Sequence, residues 1–422
     1  MNAADGRAGA YALARLVDDP TEFASRMWGR QHHVHHSSGA QTHPEAFADL
    51  LDLAGVDELL STRGLRTPFL RVAKNGSTLP ERSFTAGGGV GAAISDQISD
   101  ARLAQLFEDG ATIVLQGLHR TWGPIVDFAA DLATELGHPV QANAYITPAQ
   151  SQGFSAHYDV HDVFVLQLAG QKRWIIHEPV HPWPMRHEPW DTGGRKEQVA
   201  QAAAGEPVLD VVLEPGDCLY LPRGYLHAAK ALAGVSAHLT LGVHVWTQDH
   251  LARAFTELAL RQADELRRPL PLGVDVGDPA QLAPNIAAVR AALHQALDAV
   301  TDGQLATLLD QRADESGRAA PVRPLVQAAA SREPALSEPM QLRRHLRLRR
   351  ELDDGGVRLR GRGVDERVAL PTPGLRAALD QLVDGGAHVP AALAHACQIG
   401  EDEVLGLTGQ LLSAGILVPT RT

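Results

Sequence analysis

The segment QANAYITPAQSQGFSAHYDVHDVFVLQLAGQKRW, residues 141–174, most restricts what this chain can fold into. Its apolar and β-branched runs over 142–146, 157–168 and 173–176 are short and are punctuated by proline and glycine. Two more such runs, 218–221 and 236–241, follow further along. Strands of this length broken by turn residues predict a double-sheet jelly roll, whose mouth is a natural ligand site.

His157 and Asp159 stand two positions apart in sequence that reads as extended, where alternate side chains share one face. A further imidazole, His227, follows the Gly216-Asp217 turn, the 218–221 strand and a Pro222-Arg223-Gly224 bend. Two histidines and one carboxylate on one face form a donor set that holds non-haem iron and leaves positions open. Asp162 has the opposite strand parity to His157 and Asp159, and it and His161 are both expected in the surroundings of that set or on the surface. A His-x-Asp pair alone is weak, because a buried histidine beside an aspartate is commonly structural. The third histidine and a cation at Lys172, which can offer a carboxylate a point charge and several donors, strengthen it. The three ligands alone also admit zinc, or a non-catalytic metal-binding cupin acting as a regulator. Lys172 discriminates, since a site that also holds a dicarboxylate needs such a cation and the other readings do not. By alternation Ser236, His238 and Thr240 share one face and are expected to line the pocket.

Taken in order, His157-Tyr158-Asp159, the run 164–170 ending in Gln171-Lys172-Arg173-Trp174, Gly216-Asp217, Leu221-Pro222-Arg223-Gly224 and His227 resemble a JmjC-type, cupin-fold dioxygenase. The nearest group is the ribosomal oxygenases. The resemblance implies an α+β fold with a double-stranded β-helix core, a helical dimerisation domain and a C-terminal winged-helix-like domain. It implies that His157, Asp159 and His227 bind Fe(II), that Lys172 holds the distal carboxylate of 2-oxoglutarate, and that Asn143 and Tyr145 line the pocket. It also implies hydroxylation of a side chain of a protein, ribosomal or otherwise, or of a peptide, with O2 as the other cosubstrate.

The 422 residues are 44% hydrophobic and carry a formal charge of −12, which fits a soluble globular protein of two or three domains. That balance favours a basic protein or peptide partner and disfavours non-specific attraction to nucleic acid or anionic lipid. Cys218 and Cys397 are the only cysteines, so neither a disulfide framework nor a cysteine zinc site is supported, and a cytoplasmic location is expected. The N-terminal stretch lacks a signal-peptide pattern, and no apolar run is long enough to span a membrane.

Along the chain, helix is expected over 10–28, with a restart at Asp18-Asp19-Pro20-Thr21, and over 44–60, 100–108 and 122–136. The histidines of MWGRQHHVHH read as a half-exposed strand rather than a metal tract. The Asn75-Gly76 pair ends a strand with a hairpin signal, and the Ala86-Gly87-Gly88-Gly89 run reads as a connector without the ending of a phosphate loop. Residues 177–205 read as a long loop, a candidate lid. Helical spacing returns over 249–268 and 285–312. An Arg-rich stretch over 342–367, with a turn at 353–356, then precedes helices at 373–382, 390–395 and 401–414 and a strand at 416–419. This order resembles a winged helix, in which Arg343, Arg344, Arg347, Arg349 and Arg350 could meet phosphates. The EDEVLGLTGQLLSA helix has no lysine or arginine, which favours a structural or protein-contact role over DNA binding. The expected division is 1–247 catalytic, 248–335 helical and dimerising, and 336–422 winged-helix-like.

Overall fold

The computed structural model describes residues 12–37, 47–353 and 355–420. The first residues of the helices expected from 10 and from 44, and Asp354 of the expected turn, lie outside the described residues. The described chain forms two compact units, Met1–Val245 and Trp246–Thr422.

The first unit contains β1 (His33–His35), β2 (Leu70–Lys74), β3 (Ser77–Thr78), β4 (Thr85–Ala86), β5 (Gln97–Ile98), β6 (Thr112–Leu115), β7 (Val140–Thr147), β8 (Asp162–Ala169), β9 (Lys172–His177), β10 (Leu209–Leu213), β11 (Cys218–Leu221), β12 (Leu226–Ala231) and β13 (Ser236–Val243). Eight of them form one sheet in the order β1-β11-β8-β13-β7-β6-β2-β3, and β10-β9-β12 form a second. The ladders around the site are antiparallel. Period-two alternation divides the large sheet into two faces. Ala142, Ala144, Ile146, Phe164, Leu166, Cys218, Tyr220, Leu239 and Leu241 point to one side and form the main core with the N-terminal helices. Val163, Val165, Leu219 and Leu221 point to the other and close a second core with Trp174, Ile176 and Leu213 of the small sheet. That inner face also carries the polar positions of β7 and β13, so the barrel is apolar where it closes and polar where it can hold a ligand.

The helix Gly123–Leu136 shows why the outer face needs a cover. Ile125, Phe128, Ala129 and Leu132 recur at helical spacing and are buried, Pro124 sits in the first turn, and Gly137 ends the helix at φ +70°. Each large apolar side chain removed from water there contributes about 1.5–3 kcal/mol, and the positive φ favours glycine at the stop. The hairpin at Asn75-Gly76 forms between β2 and β3 with both residues at positive φ.

Five expectations change, the first being the helix expected over 44–60, which begins only at Leu53, where the Asp52 carboxylate caps it, and runs to Ser61. Residues 157–161 are not part of a strand, because β8 begins at Asp162. The 177–205 segment contains a helix, Arg195–Ala203, anchored by buried Val199 against Tyr158 and Leu226. The expected helix over 285–312 is two helices, Pro279–Ala299 and Asp302–Ser316, because Thr301 makes a capping box with Gln304 and starts the second. The helix expected over 10–28 is instead a tight turn at Leu13–Arg15 followed by Pro20–Glu22 and a wide-turn segment Phe23–Met27, with the Asp19 carboxylate accepting from the Thr21 and Glu22 N–H groups. The histidines of β1 lean on carboxylates, His33 and His35 on Asp18 and neighbouring His36 on Asp217.

In the second unit the helices Gln248–Gln262 and Pro279–Ala299 share a small core of Ala259, Ala263, Ala296 and Val300. Helix Pro324–Arg332 follows. The C-terminal part has β14 (Met340–Leu342), β15 (Arg349–Asp353), β16 (Gly356–Gly361), β17 (Val364–Ala369), β18 (Ala387–His388) and β19 (Leu417–Pro419), in two sheets of order β18-β14-β19 and β15-β16-β17. Helices Pro373–Val383, Pro390–Cys397 and Glu401–Ser413 pack on them around their own core. Several arginines singled out for phosphate contact are engaged within the fold. Arg347 and Arg349 pair with Asp310 and Asp314, Arg350 with Asp380 and Asp384, and Arg343 donates to the Ala320 carbonyl. Among the described residues no helix is long and apolar enough to cross a membrane.

Candidate metal centre

The loop before β8 and the start of β12 are joined backbone to backbone. His227 N–H donates to the His157 carbonyl at 2.8 Å, and His157 N–H donates back to the His227 carbonyl at 3.2 Å. This isolated antiparallel bridge brings the two imidazoles to 4.4 Å between ring centres. A third tie, Gly224 N–H to the Asp159 carbonyl at 3.0 Å, turns Asp159 toward them. One ligating atom from each of His157, Asp159 and His227 then lies within 4.8 Å of the others. The convergence therefore arises from a bridged loop and not from alternation along a strand. Gly224 has φ +93°, and a Cβ there would sit 2.9 Å from both the His181 carbonyl oxygen and Pro184 Cδ, so the bend tolerates only glycine without displacement.

Hydrogen bonds orient both rings. His157 Nδ1 lies 2.8 Å from the Ser155 carbonyl and His227 Nδ1 lies 3.1 Å from the Tyr225 carbonyl. A carbonyl only accepts, so the proton is assigned to Nδ1 in each ring and each Nε2 keeps its lone pair. His227 Nε2 is 3.8 Å from the Asp159 carboxylate. Burial, reinforced by neighbouring His157, lowers the His227 imidazolium to about 4, so the ring is neutral at pH 7 as a ligand must be. Burial pushes Asp159 upward, but His161, His227, His157 and Arg71 outweigh it and hold the carboxyl below its usual range. Two imidazole Nε2 atoms and one carboxylate form a donor set that fits a divalent transition metal such as Fe(II).

Deeper in the barrel, Lys172 opens β9 and is 4% exposed. Its ammonium donates to Thr147 Oγ1 at 3.2 Å, stands 3.3 Å from His238 Nδ1, and lies 6.0 Å from the Trp174 ring. Burial brings Lys172 down to about 7, and no carboxylate among the described residues counters that shift. The remaining donor capacity of a buried cation is suited to an anionic oxygen of a ligand.

The other expected pocket residues divide. Tyr145 stacks on His238 with ring centres 4.9 Å apart and planes 3° from parallel, and burial, then the Asp159 charge, pushes its phenol to about 12. Thr240 pairs in register with Asn143 and Val165. Two are already occupied: the Asn143 carboxamide oxygen accepts from Gly117 N–H at 3.0 Å, and the Ser236 hydroxyl accepts from Gln167 at 3.0 Å. Asp162 and His161 lie outside the ligand cluster.

Sequence reasoning missed Thr147, Trp174, Arg71, Phe154 and Trp190. Thr147 was within reach, since it follows Asn143 and Tyr145 at the same parity on β7. Arg71 was not, because it enters through strand order: it pairs with Val114 of β6, which pairs with Tyr145 of β7. Its guanidinium lies 5.6 Å from the Phe154 ring, whose centre is 6.0 Å from that of His157. Trp190, from the 177–205 segment, brings its ring to 6.4 Å from His157. That segment is fastened to the ligand loop where the Tyr158 hydroxyl donates to the Glu188 carbonyl at 2.9 Å.

Residues 126–251 match the family model described as JmjC domain. Ribosomal oxygenase 1 of Rattus norvegicus is 38% identical over 176 residues, covering 39% of this chain and 28% of that protein. The bifunctional lysine-specific demethylase and histidyl-hydroxylase NO66 of Aedes aegypti is 31% identical over 239 residues, covering 55% of this chain and 35% of that protein. The chain thus spans about a third of the length of these relatives. The crystal structure of the Escherichia coli ribosomal oxygenase YcfD superimposes with a TM-score of 0.51 at 16% identity, covering 96% of this chain and 99% of that one. A YcfD structure in complex with cobalt and succinic acid gives 0.52 at 17% identity with the same coverage. At this identity the likeness shows a shared fold.

Proposed function

Because the chain carries a JmjC domain of the kind found in ribosomal oxygenases, we propose that it is an Fe(II)- and 2-oxoglutarate-dependent oxygenase that hydroxylates a side chain of a protein or peptide. The observation that carries this reading is the pairing of two features on one barrel interior. A two-nitrogen, one-carboxylate cluster stands at the mouth, and a buried lysine that has no carboxylate partner among the described residues stands deeper in. A regulator that only bound metal would have no use for the lysine, whose burial costs stability.

In this reading His157, Asp159 and His227 would hold the metal, Lys172, Tyr145, His238 and Thr240 would form the cosubstrate pocket, and Asn143 and Ser236 would brace its wall through their bonds to Gly117 and Gln167. When bound, iron would supply the redox chemistry that couples oxidative decarboxylation of 2-oxoglutarate by O2 to hydroxylation of a carbon–hydrogen bond. The chain's own work is to prepare the site. The Ser155 and Tyr225 carbonyls fix both imidazoles in the tautomer that presents Nε2, and Asp159 stays ionised to offset the cation's charge. Lys172 keeps a proton available for the distal carboxylate while Thr147 and His238 hold its Nζ in place. Tyr145 and Trp174 flank His238 and limit water beside it. Arg71, Phe154 and Trp190 frame the opening through which a substrate side chain would enter.

The finer assignments belong to the same proposal. The relatives named as ribosomal oxygenases favour a ribosomal protein substrate, and the formal charge of −12 favours a basic one. Exposed Leu260, Ile286 and Val289 on the two long helices suit a homodimer built through a helical domain at 248–335. The three helices and two small sheets over 336–422 suit a winged-helix-like domain with a protein-contact role, since its arginines are largely committed to internal carboxylates. The catalytic domain then covers 1–247, and the two free cysteines suit the cytoplasm. The deciding experiment is anaerobic titration of 2-oxoglutarate into Fe(II)-loaded protein, followed by succinate release in air with a basic peptide. Saturable binding supports the oxygenase, and absence of binding leaves the metal-binding regulator.

A further inference from the structure

We propose that Asp162 is a positioning residue for the metal triad, tying the bend that delivers His227 to the loop that delivers His157 and Asp159. The inference rests on the metal-centre reading above. Asp162 is wholly buried at the start of β8, three positions after Asp159, and is not one of the converging ligands. Its Oδ1 accepts from the Arg223 N–H at 3.1 Å, with the Arg223 guanidinium 3.6 Å away. Its Oδ2 accepts from the Tyr220 hydroxyl at 2.5 Å.

Tyr220 is itself immobilised. Its oxygen accepts from Gly29 N–H at 2.8 Å, and its ring packs 4.8 Å from Phe23 and 4.9 Å from Phe164. The carboxylate therefore has a fixed support on one side and holds the Arg223 backbone on the other. Arg223 directly precedes Gly224, whose N–H reaches the Asp159 carbonyl, and lies four positions before His227. The two ligand segments are thus stitched by three backbone bonds and by one side chain, Asp162. The backbone bonds set which atoms face each other. Asp162 sets where the bend sits relative to β8, and with it the approach of His227 Nε2. Groups that orient metal ligands from outside the coordination sphere commonly change metal affinity by about 10–100-fold.

The test titrates Co(II) alone into the metal-free full chain, reading affinity, visible absorption and thermal stability for wild type, Asp162→Asn, Tyr220→Phe and Leu166→Ala. Leu166 is buried on β8 in the outer core and supplies a change of stability without touching the tie. Asp162→Asn and Tyr220→Phe should weaken Co(II) about tenfold and alter its absorption bands, while Leu166→Ala lowers stability and leaves both unchanged. If Asp162→Asn fails to fold, Tyr220→Phe, which removes one hydroxyl, decides. Wild-type affinity and spectrum in the folded variants overturn the inference, as does an equal loss in Leu166→Ala, which would make the effect one of stability. A wild-type protein that takes up no Co(II) overturns the metal reading, and this inference with it.

Discussion

Replacing Lys172 with methionine should stabilise the metal-free protein while removing its capacity to hold 2-oxoglutarate. The ammonium is lowered from 10.5 to about 7 by burial. Folding therefore takes up a penalty that is full below pH 7, where the lysine is charged in both states, and fades as pH rises toward the unfolded value. At 1.36 kcal/mol per pH unit the penalty is about 5 kcal/mol at pH 6 and about 1.4 kcal/mol at pH 9.5. Methionine matches the unbranched stem and carries no charge. Against the gain stands His238 Nδ1, left without its donor at a cost of about 1–3 kcal/mol, whereas Thr147 keeps its contact with Thr112. The net expectation is a gain of about 2 kcal/mol or more at pH 6 that shrinks to zero or reverses at pH 9.5. Urea unfolding of both metal-free proteins at the two pH values measures it. A variant no more stable than wild type at pH 6, or a gain equal at both pH values, would refute the claim that Lys172 is a buried cation kept for a ligand.

Lys172→Ala should weaken 2-oxoglutarate by about ten- to a hundredfold, from the loss of a charge-assisted bond of roughly 1.5–3 kcal/mol, with metal affinity unchanged and partial rescue by Lys172→Arg; calorimetry under anaerobic conditions reads all three. In the wild type, cosubstrate affinity should fall by up to about tenfold per pH unit above pH 7, because binding must first restore the proton on Lys172; a flat profile between pH 6.5 and 8.5 contradicts this. His157→Ala, Asp159→Ala and His227→Ala should each abolish Co(II) or Fe(II) uptake and turnover with far-ultraviolet circular dichroism retained, and full uptake by any one removes it from the site. Gly224→Ala should cost more than about 1 kcal/mol of stability, since its Cβ meets the His181 carbonyl and the Pro184 ring and its φ is positive; thermal melts within error of wild type would show that the bend can relax.

What the sequence alone determines here is local. The helix over 100–108 forms as its spacing predicts, and Asn75-Gly76 and Gly137 mark a turn and a helix stop because positive φ is a property of one or two residues. The donor types at 157, 159 and 227, and the lysine at 172, are likewise legible, since their chemistry does not depend on context. Tertiary structure decided the rest. His157 and Asp159 meet His227 through a bridge between segments 70 residues apart, counting from 157 to 227, and the strand expected there is a loop. Asp162, set aside by parity, is buried and reaches Arg223, which only the pairing of β8 with β11 makes possible. Arg71 reaches the site because β2 lies two strands from β7. Arg347 and Arg349, exposed cations by composition, are matched by Asp310 and Asp314 on a helix that precedes them. Each of these is a contact between residues distant in the chain, and its free energy exists only once the fold has brought the partners within reach.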